Sequence, residues 1–155
     1  MKVRVLTVSH RQPDWVVAGH DDYARRLPRE WAFELVEIRP EPRSGNGLEE
    51  RVRAAEAKRL TAALPKQALV VALDERGASW STAQFAERLQ RFQAAGRDLA
   101  FVIGGADGLD EQFRAAAAER LSLSALTLPH GLVRVVLVEQ LYRAAMLAKG
   151  HPYHR

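Results

Sequence analysis

The last five residues of the chain, His151-Pro152-Tyr153-His154-Arg155, carry three side chains with separate chemistries. Tyr153 offers an aromatic plane that can stack on a base, His154 an imidazole that titrates near neutrality, and Arg155 a guanidinium that pairs with phosphate. Chain ends usually fray, but Pro152 and Tyr153 restrict this one. A second candidate is Gly104-Gly105-Ala106-Asp107-Gly108, whose glycine pair lets a ligand lie against bare backbone or merely makes a tight turn.

Other constellations fail on spacing. Ser124, His130 and Asp107 have the residue types of a hydrolytic triad, yet no G-x-S-x-G elbow surrounds any serine, and Ser124 falls in a run that reads as an apolar strand. His151 and His154 have only Glu139 as a conceivable third ligand, and the chain has no cysteine, so no metal site is expected. G-x-G-x-x-G is absent, which argues against a dinucleotide fingerprint, and the absence of G-x-x-x-x-G-K-[ST] excludes a P-loop at motif level.

The elements that must position these residues alternate along the chain. Residues 2–9, 33–38, 68–74, 99–103 and 121–126 read as strands; 68–74 is continuously apolar up to the carboxylate of Asp74 and 99–103 is apolar throughout, as strands covered on both faces are. Between them lie helical patterns opened by Pro13-Asp14, Leu48, Ser81 and Asp110, with a last one from Leu132. The stripe Trp15, Val16, Gly19, Tyr23 and Leu27 is expected on the inner face of the first helix, and Pro28 is expected to end it. ERGASW, residues 75–80, is expected to be a turn, and residues 39–47 a mobile basic loop.

This order predicts an α/β domain over residues 1–155, with a parallel-rich sheet and helices on both faces. Ligands of such sheets sit beyond the carboxyl ends of the strands, so the loops after Leu73, Ile103 and Leu126 are the expected pocket wall.

Residues 132–148 contain Leu132, Val133, Val135, Val136, Leu137 and Val138, apolar on nearly every side of a helix. Such a helix needs a second partner, and a second copy of the chain is the economical one; Val136 and Leu137 are expected at that contact. No run is long enough to span a membrane, and the first residues lack the apolar core of a signal peptide. With no cysteine, the chain is compatible with a reducing cytoplasm. A net charge of +4 is modest, but arginines cluster at Arg25, Arg26 and Arg29, at Arg39 and Arg43, and in residues 149–155, which suits a polyanion such as nucleic acid.

VVALDERG, FVIGGADGL, LSLSALTLPHGLVRVVLVEQLYRA and the terminal HPYHR together resemble the bacterial ribosomal RNA large subunit methyltransferase H family. Its members are pseudouridine-N3 methyltransferases of 23S ribosomal RNA within the SPOUT superfamily. The resemblance covers essentially the whole length, including Pro13-Asp14-Trp15 and FELVEI.

It implies a SPOUT-type α/β knot, with the C-terminal segment drawn into a deep trefoil knot, S-adenosylmethionine as cofactor, and an obligate homodimer. By position it places the cofactor on Leu73, Gly104, Leu123, Ser124, Ala125, Leu126, Thr127 and Leu128. The expected acceptor is a pseudouridine of 23S ribosomal RNA in the 70S ribosome or its large subunit, and the expected compartment is the cytoplasm.

The N3 proton must leave on or before attack, so a base or an anion stabiliser is needed. His154 is the candidate base, Arg143 and Arg155 the phosphate or anion partners, and Tyr153 a stacking group. The tail of one subunit is expected to complete the pocket of the other. The rival readings are a non-catalytic RNA- or ribosome-binding module and a small-molecule hydrolase.

Overall fold

The computed structural model describes residues 1–43 and 48–154, the last by its backbone alone. Its strands are β1 (Val3–Val8), β2 (Glu34–Ile38), β3 (Leu69–Ser79), β4 (Leu99–Ile103) and β5 (Glu119–Ser122). They form one sheet of order β2-β1-β4-β3-β5 in which every pairing is parallel. The LAFVI run fills the central strand β4, where all five residues are buried, because neighbours flank it and helices cover it on both faces.

The helices are α1 (Asp14–Ala24), α2 (Glu49–Ala63), α3 (Thr82–Ala94), α4 (Glu111–Ala116) and α5 (His130–Ala148). Period-two alternation in the strands feeds two cores. Val3, Val5, Leu99, Phe101 and Val71 pack with α3 and α5 on one face, whereas Leu6, Val8, Ala100 and Val102 pack with Leu60 of α2 and Phe113 of α4 on the other. Ser81 opens α3 with a capping box, its Oγ accepting from the Gln84 N–H at 3.1 Å while Gln84 Oε1 accepts from the Ser81 N–H at 2.9 Å.

Several expectations need correction. Residues 75–79 are not a turn: β3 runs on through them with a bulge, pairing Leu73 and then Ala78 with Leu121 of β5. A Cβ at Gly77 would lie 2.7 Å from the Arg120 carbonyl carbon, so only glycine lets the strand pass there. β5 stops at Ser122, and residues 123–126 leave the sheet. Ser124 therefore lies in a loop, where its Oγ accepts from the Leu126 N–H at 2.9 Å. α1 ends at Ala24 rather than at Pro28, and Trp15 is 60% exposed instead of facing inward.

α5 starts earlier than expected, at His130, and packs against both α1 and α3. Leu137, expected at the contact with a second copy, is 0% exposed within a single chain and belongs to the core with Leu141 and Ala144. Val136 is half-buried. Leu137→Asp is therefore expected to abolish the cooperative thermal transition, since burying an unpaired carboxylate costs more than about 4 kcal/mol. Val136→Asp should leave that transition in place, and sedimentation of this variant reports on association alone.

Candidate cofactor site

β4 ends at Ile103, β5 ends just past Leu121, and β3 breaks its regular pairing at the bulge after Leu73. Leu73 of β3 is opposite Ile103 of β4 and Leu121 of β5, so their side chains form one apolar floor at the carboxyl edge of the sheet. Above it opens a cavity of about 810 Å³, walled by residues 104–111 on one side and by the loop after β5 on the other. That volume suits a ligand the size of a nucleoside cofactor.

The glycine loop is folded tightly on itself. The Gly108 N–H donates to the Gly105 carbonyl at 3.0 Å, and Gly108 has φ +80°, a left-handed conformation that glycine adopts without strain. A Cβ at Gly104 would stand 2.9 Å from the Gly108 carbonyl carbon and 3.0 Å from Leu109 Cγ. A Cβ at Gly105 would meet Glu56 Oε1 at 2.9 Å, so the pair serves the tight turn.

Across the cavity, the loop of residues 123–129 contributes Leu123, Ser124, Leu126, Thr127 and Leu128. Leu126 is 75% exposed on the rim, placed to cover one face of a flat ring. Leucine side chains and free backbone groups fit the adenine and ribose of S-adenosylmethionine, which need apolar faces and a few directed polar contacts. Ala125 shares the loop but does not line the cavity.

His130 pins this loop to the sheet. Its Nε2 donates to the Gly104 carbonyl at 2.7 Å and lies 3.4 Å from Thr7 Oγ1. Its Nδ1 is buried without a partner among the described residues. Burial lowers its pKa below the ordinary imidazole value, the Gly104 bond acts the other way, and nearby Arg134 lowers it further. These shifts favour the neutral imidazole.

The wall facing the leucines is charged. Arg114 of α4 pairs with Asp74 through its Nε, and Asp74 Oδ1 accepts from the Arg76 N–H at 3.0 Å. On the outer side of the glycine loop Arg43 pairs with Asp107, and the Arg39 carbonyl accepts from Arg59 at 2.9 Å. The described part of the basic loop, expected to be mobile, is thus tied to the pocket wall and to α2. Residues 44–47 of that loop lie outside the described residues.

Glu56 stands behind Gly105, with Oε2 accepting from the Glu41 N–H at 3.0 Å. Burial raises its carboxyl above the ordinary 4.5; the Glu41 bond and Arg59 lower it, and Asp107 and Glu41 raise it. The folded protein therefore holds this proton more tightly than the unfolded chain does. Stability falls as pH rises from 4.5 through the raised value, and the penalty persists above it. Glu56→Gln should raise the midpoint of thermal unfolding by about 2–4 °C at pH 8. The gain should vanish near pH 4, which unfolding scans at both pH values check.

The expected catalytic group lies elsewhere. Tyr153 sits in a short 3-10 turn, Pro152–His154, with its ring centroid 4.5 Å from that of Tyr142 on α5. The Arg143 guanidinium lies 5.0 Å from the Tyr153 ring, donates to the Tyr153 carbonyl at 3.3 Å, and pairs with Glu139 at 2.7 Å. Burial, a hydrogen bond with Tyr23 and the charge of Glu139 push the Tyr153 hydroxyl up to about 12, so it is protonated at neutral pH. The His154 side chain and Arg155 lie outside the described residues.

α5 separates this cluster from the cavity. His130 and Arg143 stand at opposite ends of the helix, on the order of 20 Å apart at 1.5 Å per residue. One chain brings Leu73, Gly104 and the loop after β5 together but does not bring Arg143 or Tyr153 to them. Sequence patterns did not point to Asp74, Arg114 and His130 as cofactor-site residues. The apolar run ending on Asp74 was a signal, whereas nothing local marks Arg114.

Among the described residues, no three His, Asp or Glu side chains converge as metal ligands, and no helix is long and apolar enough to cross a membrane. An all-parallel sheet with a pocket at the carboxyl ends of β4 and β5, beside Leu73 of β3, is the architecture of an α/β protein that binds its ligand beyond the strand ends.

The comparisons agree. The family model described as predicted SPOUT methyltransferase matches residues 1–154. Proteins named ribosomal RNA large subunit methyltransferase H from Burkholderia thailandensis and Burkholderia multivorans are each 55% identical over 155 residues, 100% of this chain and 99% of theirs. A probable methyltransferase from Bordetella pertussis Tohama I shares the fold at TM-score 0.61 and 18% identity, covering 92% of this chain and 95% of that one. The chain belongs to the ribosomal RNA large subunit methyltransferase H family of SPOUT methyltransferases. The methyl donor of this class is S-adenosylmethionine.

Proposed function

We propose that this chain is a one-domain methyltransferase that methylates N3 of a pseudouridine in 23S ribosomal RNA, acting as a homodimer on the 70S ribosome or its large subunit in the cytoplasm. The observation that carries the reading is the cavity over the aligned Leu73, Ile103 and Leu121 of β3, β4 and β5, faced by the loop of residues 123–128. The 55% identity to proteins named for ribosomal RNA supports the substrate. The chain's return from β5 at the sheet edge to His130 beside Thr7 of β1 is where the trefoil knot implied by the resemblance would be drawn.

Bound S-adenosylmethionine supplies an electrophilic methyl group on its sulfonium. Leu73, Gly104 and the loop of residues 123–128 would hold the adenosine and methionine parts and exclude water, which would align donor with acceptor. The His154 imidazole would take the proton that N3 of the acceptor must lose. Arg143 and Arg155 hold phosphate or the developing anion, and Tyr153, protonated, stacks or positions the base.

The distance along α5 argues that these residues serve the pocket of a partner subunit. The half-buried Leu132 and Val136 supply an apolar surface for that contact.

The arginine clusters at Arg25, Arg26 and Arg29 and at Arg39 and Arg43 suit phosphates, so recognition by shape and phosphates rather than base edges is expected. Tritiated methyl transfer should therefore be much faster into assembled ribosomes or large subunits than into naked 23S RNA or a short hairpin. Undetectable transfer into every RNA substrate would sink the proposal and leave a non-catalytic binding module.

A further inference from the structure

The charged wall of the pocket contains a cation whose purpose the adenosine site does not account for. We propose that Arg114, held in orientation by Asp74, binds the carboxylate of the methionine part of S-adenosylmethionine. This rests on the donor reading of the pocket and adds two residues to it.

Three arginines line the cavity: Arg53, Arg76 and Arg114. The Arg76 side chain is 64% exposed, so its pull on an anion is screened, whereas that of Arg114 is 19% exposed. Arg53 comes from α2. Arg114 comes from α4, which follows directly on the glycine loop.

The guanidinium is only partly used. Its Nε goes to Asp74, its Nη1 lies 3.4 Å from the well-exposed Glu111, and Nη2 makes no hydrogen bond with another described residue. Asp74 is 10% exposed with both oxygens engaged, one by Arg114 and the other by the Arg76 N–H. It has little left for a ligand, but it fixes the plane of the guanidinium and leaves the Nη edge to the pocket. A half-used, oriented guanidinium is the geometry that recognises a carboxylate.

Charge balance points the same way. The methionine carboxylate is the only anionic group of the donor. Glu75, Asp110 and Glu111 also line the cavity and would repel an unpaired carboxylate there, while suiting the ammonium and sulfonium.

Calorimetry with two ligands tests this. S-Adenosylhomocysteine keeps the amino acid, and 5′-methylthioadenosine keeps the adenosine and thioether but lacks it. Arg114→Gln should weaken S-adenosylhomocysteine about 10- to 100-fold, the range of a charge-assisted hydrogen bond, and leave 5′-methylthioadenosine unchanged. Asp74→Asn should give a smaller loss with the same selectivity. Equal losses for both ligands would make the pair merely structural, and an unchanged S-adenosylhomocysteine affinity would remove Arg114 from the site.

Decarboxylated S-adenosylmethionine, compared with the intact donor on the unaltered protein, keeps the question decidable if the variants fail to fold. Weaker binding without the carboxylate is expected, and equal binding would overturn the assignment. Should the unaltered protein bind none of these ligands, the donor reading of the pocket fails instead.

Discussion

Ending the chain at Gly150 should abolish methyl transfer to ribosomes while leaving S-adenosylmethionine affinity within about twofold of the full chain, because sites this far apart contribute independently. The removed residues 151–155 include Tyr153, whose ring packs on Tyr142 and under Arg143 at the end of α5 remote from the cavity. None of the described ones lines the pocket formed by Leu73, Gly104, Leu123, Ser124, Leu126, Thr127 and Leu128. Calorimetry reads the donor side and tritiated transfer reads the acceptor side of the same sample. If transfer survives, the proton acceptor is not in the tail, and His130 would be the next residue to test despite its buried Nδ1.

A refinement of the same experiment asks whether the tail works across subunits. Mixed dimers of a truncated chain and a chain dead in the cofactor site contain one intact tail and one intact pocket, on different chains. If α5 keeps each tail from its own pocket, such dimers regain activity. Pure dimers of either variant stay inactive. Mixed dimers without activity would place both halves of the site within one chain, which would require the tail to leave its contacts with Glu139 and Tyr142.

How much of this was legible depends on where each signal resides. Residues 99–103 announce a central strand because burial on both faces demands five apolar residues in a row. The pocket floor was legible for the same reason: Leu73 and Ile103 close apolar runs, and an α/β sheet binds at such ends. The full length of β3 was not legible, because Glu75, Arg76 and Gly77 look like a turn, while the pairing of Ala78 and Ser79 with β5 depends on a bulge that only the assembled sheet specifies.

The helix α5 defeats periodicity differently. With apolar residues on nearly every side, nothing local separates Leu137 in the core from the half-buried Val136. Nor does proximity in sequence mean proximity in space: residues 123–128 and 153 look like one motif, yet a 19-residue helix stands between them. Asp74 and Arg114, 40 residues apart, are brought together by the fold alone.

Gly104→Val should remove S-adenosylmethionine binding altogether, with transfer lost in consequence. On sequence grounds such a loss comes from a side chain filling ligand space within an otherwise intact fold. The structure adds a second cause. Even the first carbon of the new side chain would press on the Gly108 backbone at 2.9 Å, so the loop of residues 104–108 must open. That movement would also pull on the Gly104 carbonyl, which accepts the His130 bond at 2.7 Å and so fixes the start of α5 and the end of the leucine loop. Both walls of the cavity would shift together. The variant should therefore melt a few degrees lower, since a forced loop shift costs roughly 1–3 kcal/mol, but it should keep the buried strand β4 and fold cooperatively. Gly104→Ala separates the two causes. It adds the clashing carbon with almost none of the volume, so if loop opening dominates, calorimetry should find Ala nearly as damaging as Val. Undiminished affinity in a folded Gly104→Val protein would show that the donor does not lie against this loop.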